Sequence, residues 1–396
     1  MLFPPEVAEE STSSQSAAEI NMTFLFEFPP SFDWLKSDAK LGDTIPKNAL
    51  KFDFVESFSI PKGSRRSPLE NEDTYATFRL HQTLFAAVFD GHGGSSVSRW
   101  LRQNVSKTFL DITSSLSQDE QSTNMDATSV AFHAPAGLKQ LFPAGVLRRE
   151  LSELVFPDTL TFALTLTLVL LHERLLAIEG VDSVTQGACA SIIAVDLRRG
   201  FMHAAYCGDT GVGVFNRGPP PVLRFRSSDH HPSRPDENER VLKEGGRVFR
   251  GRAVGVEFSS LGVTRAIGDS IWQVGDGWLR DRSKAKNGDF LIDNDMIEFA
   301  RGRGCTGVSN IPEFFTLELS PSEETPNEEF LNPFPLTNPP IKAAVSLPEK
   351  FSVIVASDGW WDGVGFYLKG RDAKNSIPAA PADDATAVIM HLSYTS

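Results

Sequence analysis

The stretch LFAAVFDGHGG, Leu84 to Gly94, is the feature that most constrains this chain. Its apolar run reads as a buried strand, and the run stops at Asp90, which is delivered into a glycine-flanked loop. A carboxylate at a strand end is poised for chemistry. Gly91, Gly93 and Gly94 let main chain approach a ligand closely because no Cβ intervenes, and His92 adds a group that exchanges protons near neutral pH. Standing alone, the string also fits an ordinary strand-to-helix turn.

Other acids recur at strand ends. FSVIVASDGWWDGV closes its β-branched run, Phe351 to Ala356, with Asp358, and Asp362 follows four residues later. FMHAAYCGDTGVGVF sets Gly208-Asp209 between two hydrophobic runs, as in a hairpin turn. Asp383-Asp384 precedes the apolar Ala385 to Leu392, and Asn71-Glu72-Asp73 precedes the strand-like Thr74 to Leu80. Single acids at such places are usually solvated caps. Taken together, Glu72, Asp90, Asp209, Asp358, Asp362 and Asp383 form a set of oxygen donors, and hard oxygen ligands select Mg²⁺ or Mn²⁺ over zinc. Two such ions about 3.5 to 4 Å apart, bridged by one carboxylate, activate a shared water and neutralise a phosphoryl oxyanion. Hydrolysis of a phosphoester is the reaction this chemistry suggests.

The ordered strings VFDGHGG, GACAS, CGDT, LGVTRAIGD and ASDGWWD resemble those of the metal-dependent protein phosphatases (PPM), the type 2C serine/threonine phosphatases, from about Phe52 to the C-terminus. The resemblance implies that Asp90 is the carboxylate bridging two Mg²⁺ or Mn²⁺ ions and that Gly91 ligates through its carbonyl. It makes Glu72 the acid of the second ion, Asp358 and Asp383 the remaining ligands of the first, and Asp209 and Asp362 acids of a weaker third ion. His92 matches the proposed general acid, the bland alternative being that it only hydrogen-bonds the loop. Phosphoproteins are the implied substrates.

Three departures stand beside the resemblance. Many members keep an arginine four residues before the glutamate, where this chain has Pro68; Arg66, slightly upstream, is the candidate phosphate ligand. Asp384 replaces the usual Asn after the last ligand acid. The segment between Asp362 and Asp383 is short and rich in Gly and Pro. These departures keep a second reading open, a phosphatase-like binding module without turnover.

Many short strands with a few helices, lacking a regular strand-helix-strand rhythm, indicate an α+β layered fold. The resemblance sharpens this to a four-layer α-β-β-α sandwich, two antiparallel sheets flanked by helices. Residues 1–50 are expected to form a disordered or loosely packed arm and 51–396 the phosphatase domain, with loop insertions near 111–145 and 320–349. Pro235 to Glu244 reads as a short helix with Val241 and Leu242 inward. Asp229, His230 and His231 are expected to be structural, since adjacent strand residues face opposite sides. Arg265 and Asp269 are read as a structural pair.

Leu160 to Leu171 is strongly apolar, but at twelve residues between Asp158 and His172 it falls short of the ~20 that span a bilayer. It reads as a buried helix continuing the Val146 to Val155 pattern. With 38 basic against 51 acidic side chains the net charge is −13, which argues against nucleic acid and anionic membranes as partners. Three cysteines suggest reduced core residues, and none begins a cysteine-phosphatase motif. No basic n-region or Arg-rich transit segment is visible near the start. The resulting expectation is an intracellular, cytoplasmic, monomeric enzyme.

Overall fold

β3 (Thr83–His92) shows how the layers are built. Phe85, Ala87 and Phe89 pack among helical residues, whereas Leu84, Ala86 and Val88 pack against a second sheet. A strand covered on both faces has no use for polar alternation, which explains its continuous apolar run.

The structure is a computed structural model that describes residues 49–60, 71–120, 156–178, 180–218, 221–244, 246–254, 260–273, 307–321, 341–362 and 383–395. The remaining strands are β1 (Leu50–Ile60), β2 (Thr74–Leu80), β4 (Gly187–Asp196), β5 (Phe201–Cys207), β6 (Gly211–Asn216), β7 (Val222–Arg226), β8 (Val248–Phe249), β9 (Arg252–Val254), β10 (Ser260–Leu261), β11 (Ile267–Gly268), β12 (Glu313–Pro321), β13 (Ile341–Leu347), β14 (Lys350–Ala356) and β15 (Ala385–Tyr394). The helices are α1 (Ser96–Glu120), α2 (Thr159–Leu176), α3 (Pro235–Lys243) and the single turn α4 (Ser270–Gln273).

The first large sheet runs β1-β15-β14-β6-β7 and the second β13-β12-β5-β4-β3-β2, with β11 added beside β4, and β10-β9-β8 form a small third sheet. Val212, Val214, Val353, Val355, Val388 and Met390 of the first sheet meet Leu84, Val88, Ile193, Ala204 and Leu317 of the second in an apolar layer between them. α1 and α2 cover the outer face of the second sheet, where Val97, Leu101, Val105 and Phe109 join Phe78, Phe85 and Phe89. The fold is therefore α+β, two packed sheets with helices outside. On the outer face of the first sheet, Trp361 packs on Phe215, Ile354 and Ala387. The segment that follows it, 363–382, lies outside the described residues, as do Val146 to Val155 and most of the expected N-terminal arm.

Several expectations need correction. The pairing of β12 with β13 is parallel, so the second sheet is not wholly antiparallel. Nineteen intervening residues, 322–340, are ample for the crossover that a parallel pair requires. The loop expected over 320–349 contains β13, whose Val345 and Leu347 are buried. The loop expected from Asp111 is helical as far as Glu120: Ile112 continues the buried stripe of α1, and Ser114 and Ser115 turn their hydroxyls back onto the carbonyls of Leu110 and Asp111. Ala49 and Leu50, the first described residues, are both buried and lie at the edge of the expected arm. Gly208-Asp209 is not a hairpin turn, because β5 and β6 belong to different sheets; the turn carries the chain from one sheet to the other.

α2 starts at an Asp158 cap, whose side chain accepts from the Thr161 N–H at 2.8 Å, and runs through Glu173 and Arg174, longer than its apolar run implied. By length and composition it could cross a membrane, yet Thr161 to His172 are all buried in the layer outside the second sheet. α3 forms as expected, with Val241 buried, but Leu242 is exposed.

Arg265 belongs to a buried ionic network and not to a pair with Asp269. Its guanidinium donates to Glu237 at 2.6 Å and to Glu313 at 3.3 Å, while Arg240 also donates to Glu237 and Arg234 to Glu313. His230 and the Tyr206 hydroxyl complete the shell of Glu313 at 3.0 and 2.9 Å, so His230 is structural, as expected. Despite their burial, this company holds both carboxylates far below the usual range. Replacing Arg265 by Leu would strand Glu237 and Glu313 beside an apolar side chain. The expected cost is about 3 kcal/mol or more in urea unfolding, and a loss below about 1 kcal/mol would show that the network does not depend on Arg265.

Candidate metal centre

The termini of β3, β5, β14 and the starts of β2 and β15 converge at one end of the sandwich, and register decides which acids meet there. Thr74 of β2 pairs with Phe89 of β3, which sets Glu72 and Asp73 alongside Asp90 and Gly91. Ala387 of β15 pairs with Ala356 of β14, which sets Asp383 and Asp384 near Asp358. Asp209 arrives from the crossover between the sheets. Carboxylate oxygens of Asp90, Asp209 and Asp358 all lie within 4.8 Å of one another.

Apart from one backbone amide, that of Asp358, whose N–H donates to Asp90 at 3.3 Å, the groups that act most strongly on Asp90 are carboxylates. Desolvation, then Asp73, Asp209 and Asp358, push its pKa well up. Asp358 is raised to about 7 by burial first and then by Asp209 and Asp383, with Asp362 adding to the effect. Like charges crowded in a partly dry site cannot all ionise without a cation among them.

Asp73, absent from the expected ligand set, is 5% exposed, and neither of its carboxylate oxygens meets a partner at hydrogen-bond geometry, although Ser357, Asp90 and Thr386 lie beside it. Burial, with help from Asp384, raises it to about 7. Orphaned buried carboxylate oxygens and an all-oxygen donor set suit a hard divalent cation such as Mg²⁺ or Mn²⁺. The residues present therefore fit the expected ions.

Gly91 is required where it stands, since a Cβ there would lie 2.9 Å from Ser98 Oγ and press on the Glu72 carbonyl. Ser98, in the first turn of α1, clamps the same segment: its hydroxyl donates to the Glu72 carbonyl and its carbonyl accepts from Thr74. Asp384 accepts from the Glu72 N–H at 2.8 Å and is buried, while Asp383 is exposed and its carboxylate accepts from the Asp384 N–H. Asp362 is exposed at the end of the helical turn that Asp358 begins. Arg66 and Pro68 lie outside the described residues.

His92 has a partner that its sequence neighbourhood did not suggest. His92 of β3 and Gly268 of β11 both pair with Gly187, so the next residue, Asp269, lands on the imidazole, with Nε2 to Oδ2 at 2.6 Å. Asp269 is 1% exposed and takes a left-handed φ of 48°, and a Cβ on Gly187 would come within 2.6 Å of His92 Nε2. Burial works against the charged ring, but Asp269, Asp209 and Glu72 more than offset it, so the His92 pKa is raised. The only sequence signals were the small residue Gly187 and the acid ending LGVTRAIGD. Cys189 and Cys207 are buried thiols with raised pKa values, Cys189 through burial and then Asp209 and Asp90, which suits neither for nucleophilic work.

A sequence model of the family described as protein phosphatase 2C matches residues 177–365. Just under half of the chain is thus similar to this family. It is 31% identical over 153 residues to a human protein described as probable protein phosphatase 1N, covering 39% of this chain and 33% of that one. It is 30% identical over 195 residues to probable protein phosphatase 2C 75 of Arabidopsis thaliana, covering 48% and 41%. The chain thus spans well under half the length of either relative. A solved serine-threonine phosphatase 2C from Toxoplasma gondii aligns with a TM-score of 0.48 and 16% identity, over 88% of this chain and 98% of that one. The stretch matched by the family model contains Asp209, Asp358, Asp362 and Asp269. Glu72, Asp90, His92 and Asp383 lie outside it; Asp90 belongs to the cluster of three, and strand register brings Glu72, His92 and Asp383 near it.

Without metal, the raised pKa of Asp73 makes the folded state bind more protons than the unfolded chain, whose Asp titrates near 3.8, so stability should fall as pH rises from about 4 to about 7. Asp73→Asn removes that contribution. Melting curves of chelator-treated protein should then fall less steeply over this interval in the variant than in the parent, and equal slopes would contradict the assignment.

Proposed function

We propose that the chain is a Mg²⁺- or Mn²⁺-dependent protein serine/threonine phosphatase. The observation that carries the proposal is the meeting of Asp90, Asp209 and Asp358 from three separate strand termini within 4.8 Å. Asp90, Glu72, the Gly91 carbonyl, Asp358 and Asp383 would hold two ions, and Asp209 and Asp362 a weaker third. When bound, such ions supply an acidified water and neutralise charge on the phosphoryl oxygens.

The chain's own part is to hold those ligands and to manage a proton. His92 commits Nε2 to Asp269, which leaves Nδ1 to deliver a proton to the departing seryl or threonyl oxygen. Asp269 orients the ring and favours its protonated form. The second reading, a module that binds phosphoproteins without turnover, draws on Pro68 at the position where the family often keeps an arginine.

Release of phosphate from a phosphothreonine peptide and from an aryl phosphate should depend on Mn²⁺ and stop on chelation, and Asp90→Asn or Asp358→Asn should reduce it by about a hundredfold or more. A folded, metal-loaded protein silent on both substrates would instead favour the binding module. His92→Ala should slow substrates with poor leaving groups by roughly 10²-fold while sparing good ones, and equal losses would remove the general-acid role. Because Asp269 raises the His92 pKa, Asp269→Asn should move the alkaline limb of the pH–rate profile to lower pH; an unmoved limb would make Asp269 purely structural.

A further inference from the structure

A polar cleft of about 540 Å³ opens beside the acid cluster, lined by Ser59, Asn71, Asp73, Arg99, Arg102 and Gln103, with Thr74. Asp73 is the wall that the cleft shares with the metal centre, since it lines the cleft and lies beside Asp90. The opposite wall is α1, which presents Arg99, Arg102 and Gln103 at i, i+3 and i+4, on one helix face. All three are exposed, and Arg102 also lies over the Tyr75 ring at 5.6 Å, which restrains its guanidinium.

Two arginines one helical turn apart lining one cleft are notable in a chain of net charge −13. The lining adds the Gln103 amide and the second N–H of the Asn71 amide, whose Nδ2 already donates to Ser59 at 2.6 Å, and the two positive charges outnumber the single carboxylate on the shared wall. Ser98, between the metal-side segment and Arg99, ties the geometry of both sites together: it holds the Glu72 carbonyl and the Thr74 hydroxyl through its own hydroxyl and carbonyl. A phosphorylated residue at the acid cluster would thus have its neighbouring residues within reach of the arginines.

We propose that this cleft is a subsite for an oxyanion flanking the scissile phosphoresidue, so that Arg99 and Arg102 give the protein a preference for acidic phosphopeptides. The proposal rests on the phosphatase reading for its location and names a carboxylate or a second phosphate as the ligand group. Neither arginine is assigned to the chemical step.

The test uses three peptides that share one phosphothreonine: one with Asp and Glu flanks, one with Asn and Gln in their place, and one with a flanking phosphoserine. For the parent protein, kcat/KM should be about fivefold higher for the acidic than for the amide peptide, mostly through KM, as two exposed charge pairs allow. In Arg99→Gln/Arg102→Gln the ratio should approach one, and in Arg99→Glu/Arg102→Glu it should invert. A preference for only the second phosphate would assign the ligand as phosphate, and equal preference for both anionic peptides would assign it as any oxyanion. Circular dichroism of the variants establishes that they fold. Anisotropy of labelled peptides, read with chelator present, separates the two ideas. Turnover with no flank preference, or a preference unchanged in the variants, overturns the cleft proposal. Absent turnover with arginine-dependent binding of acidic peptides overturns the phosphatase reading and keeps the cleft.

Discussion

Mutual repulsion among carboxylates at the open end of the sandwich is the interaction on which the site depends. Backbone register gives Asp73, Asp90 and Asp358 no retreat: Asp90 lies near the end of β3 and the other two flank β2 and β14, strands whose pairing is set by apolar residues further along. The fold holds them together at the expense of raised proton affinity, with Asp73 and Asp358 brought to about 7. Such an arrangement is stable only if protons or cations share the space. A divalent cation would be an effective neutraliser there, since one ion can face several carboxylate oxygens at once.

Opposed to this unsettled cluster is a settled one. Glu237 and Glu313 are as buried as the site acids but are surrounded by Arg234, Arg240, Arg265, His230 and Tyr206. The network has a second effect through Arg265, which anchors the segment that continues to Ile267, Gly268 and Asp269. Its guanidinium donates to the Ile311 carbonyl at 2.9 Å, and the Ala266 N–H donates to Ser309. With that segment pinned, β11 reaches Gly187 in register and Asp269 meets His92. Thus a residue remote from the acids helps to place the base that tunes the imidazole.

Much of this was legible in the sequence because buried strands leave strong signals. The runs ending at Asp90 and Asp358 identify β3 and β14, and the carboxylates at their ends do meet in one cluster. What was not legible depended on pairing between distant strands. Asp73 looks like the neighbour of a ligand until β2 is set against β3, and Asp269 looks like a partner for Arg265 until β11 is set against β4. Gly208-Asp209 resembles a hairpin turn because local sequence cannot say whether the next strand joins the same sheet. Ser and Thr in the second half of α1 suggest a loop, whereas their hydroxyls are absorbed by carbonyls one turn back.

The placement of Asp269 also bears on how His92 can serve a metal site. Glu72 and Asp209 contribute to the raised pKa of His92, but both belong to the acids that cations would neutralise. Their support for the imidazolium would therefore diminish if cations bound there. Asp269 contacts the ring from the β11 side, outside the acid cluster, and its effect persists. Gly187, lacking a side chain, permits that approach, and the left-handed backbone at Asp269 directs the carboxylate toward it. A proton donor beside divalent cations needs such an independent carboxylate, because the ions' own field favours the neutral ring.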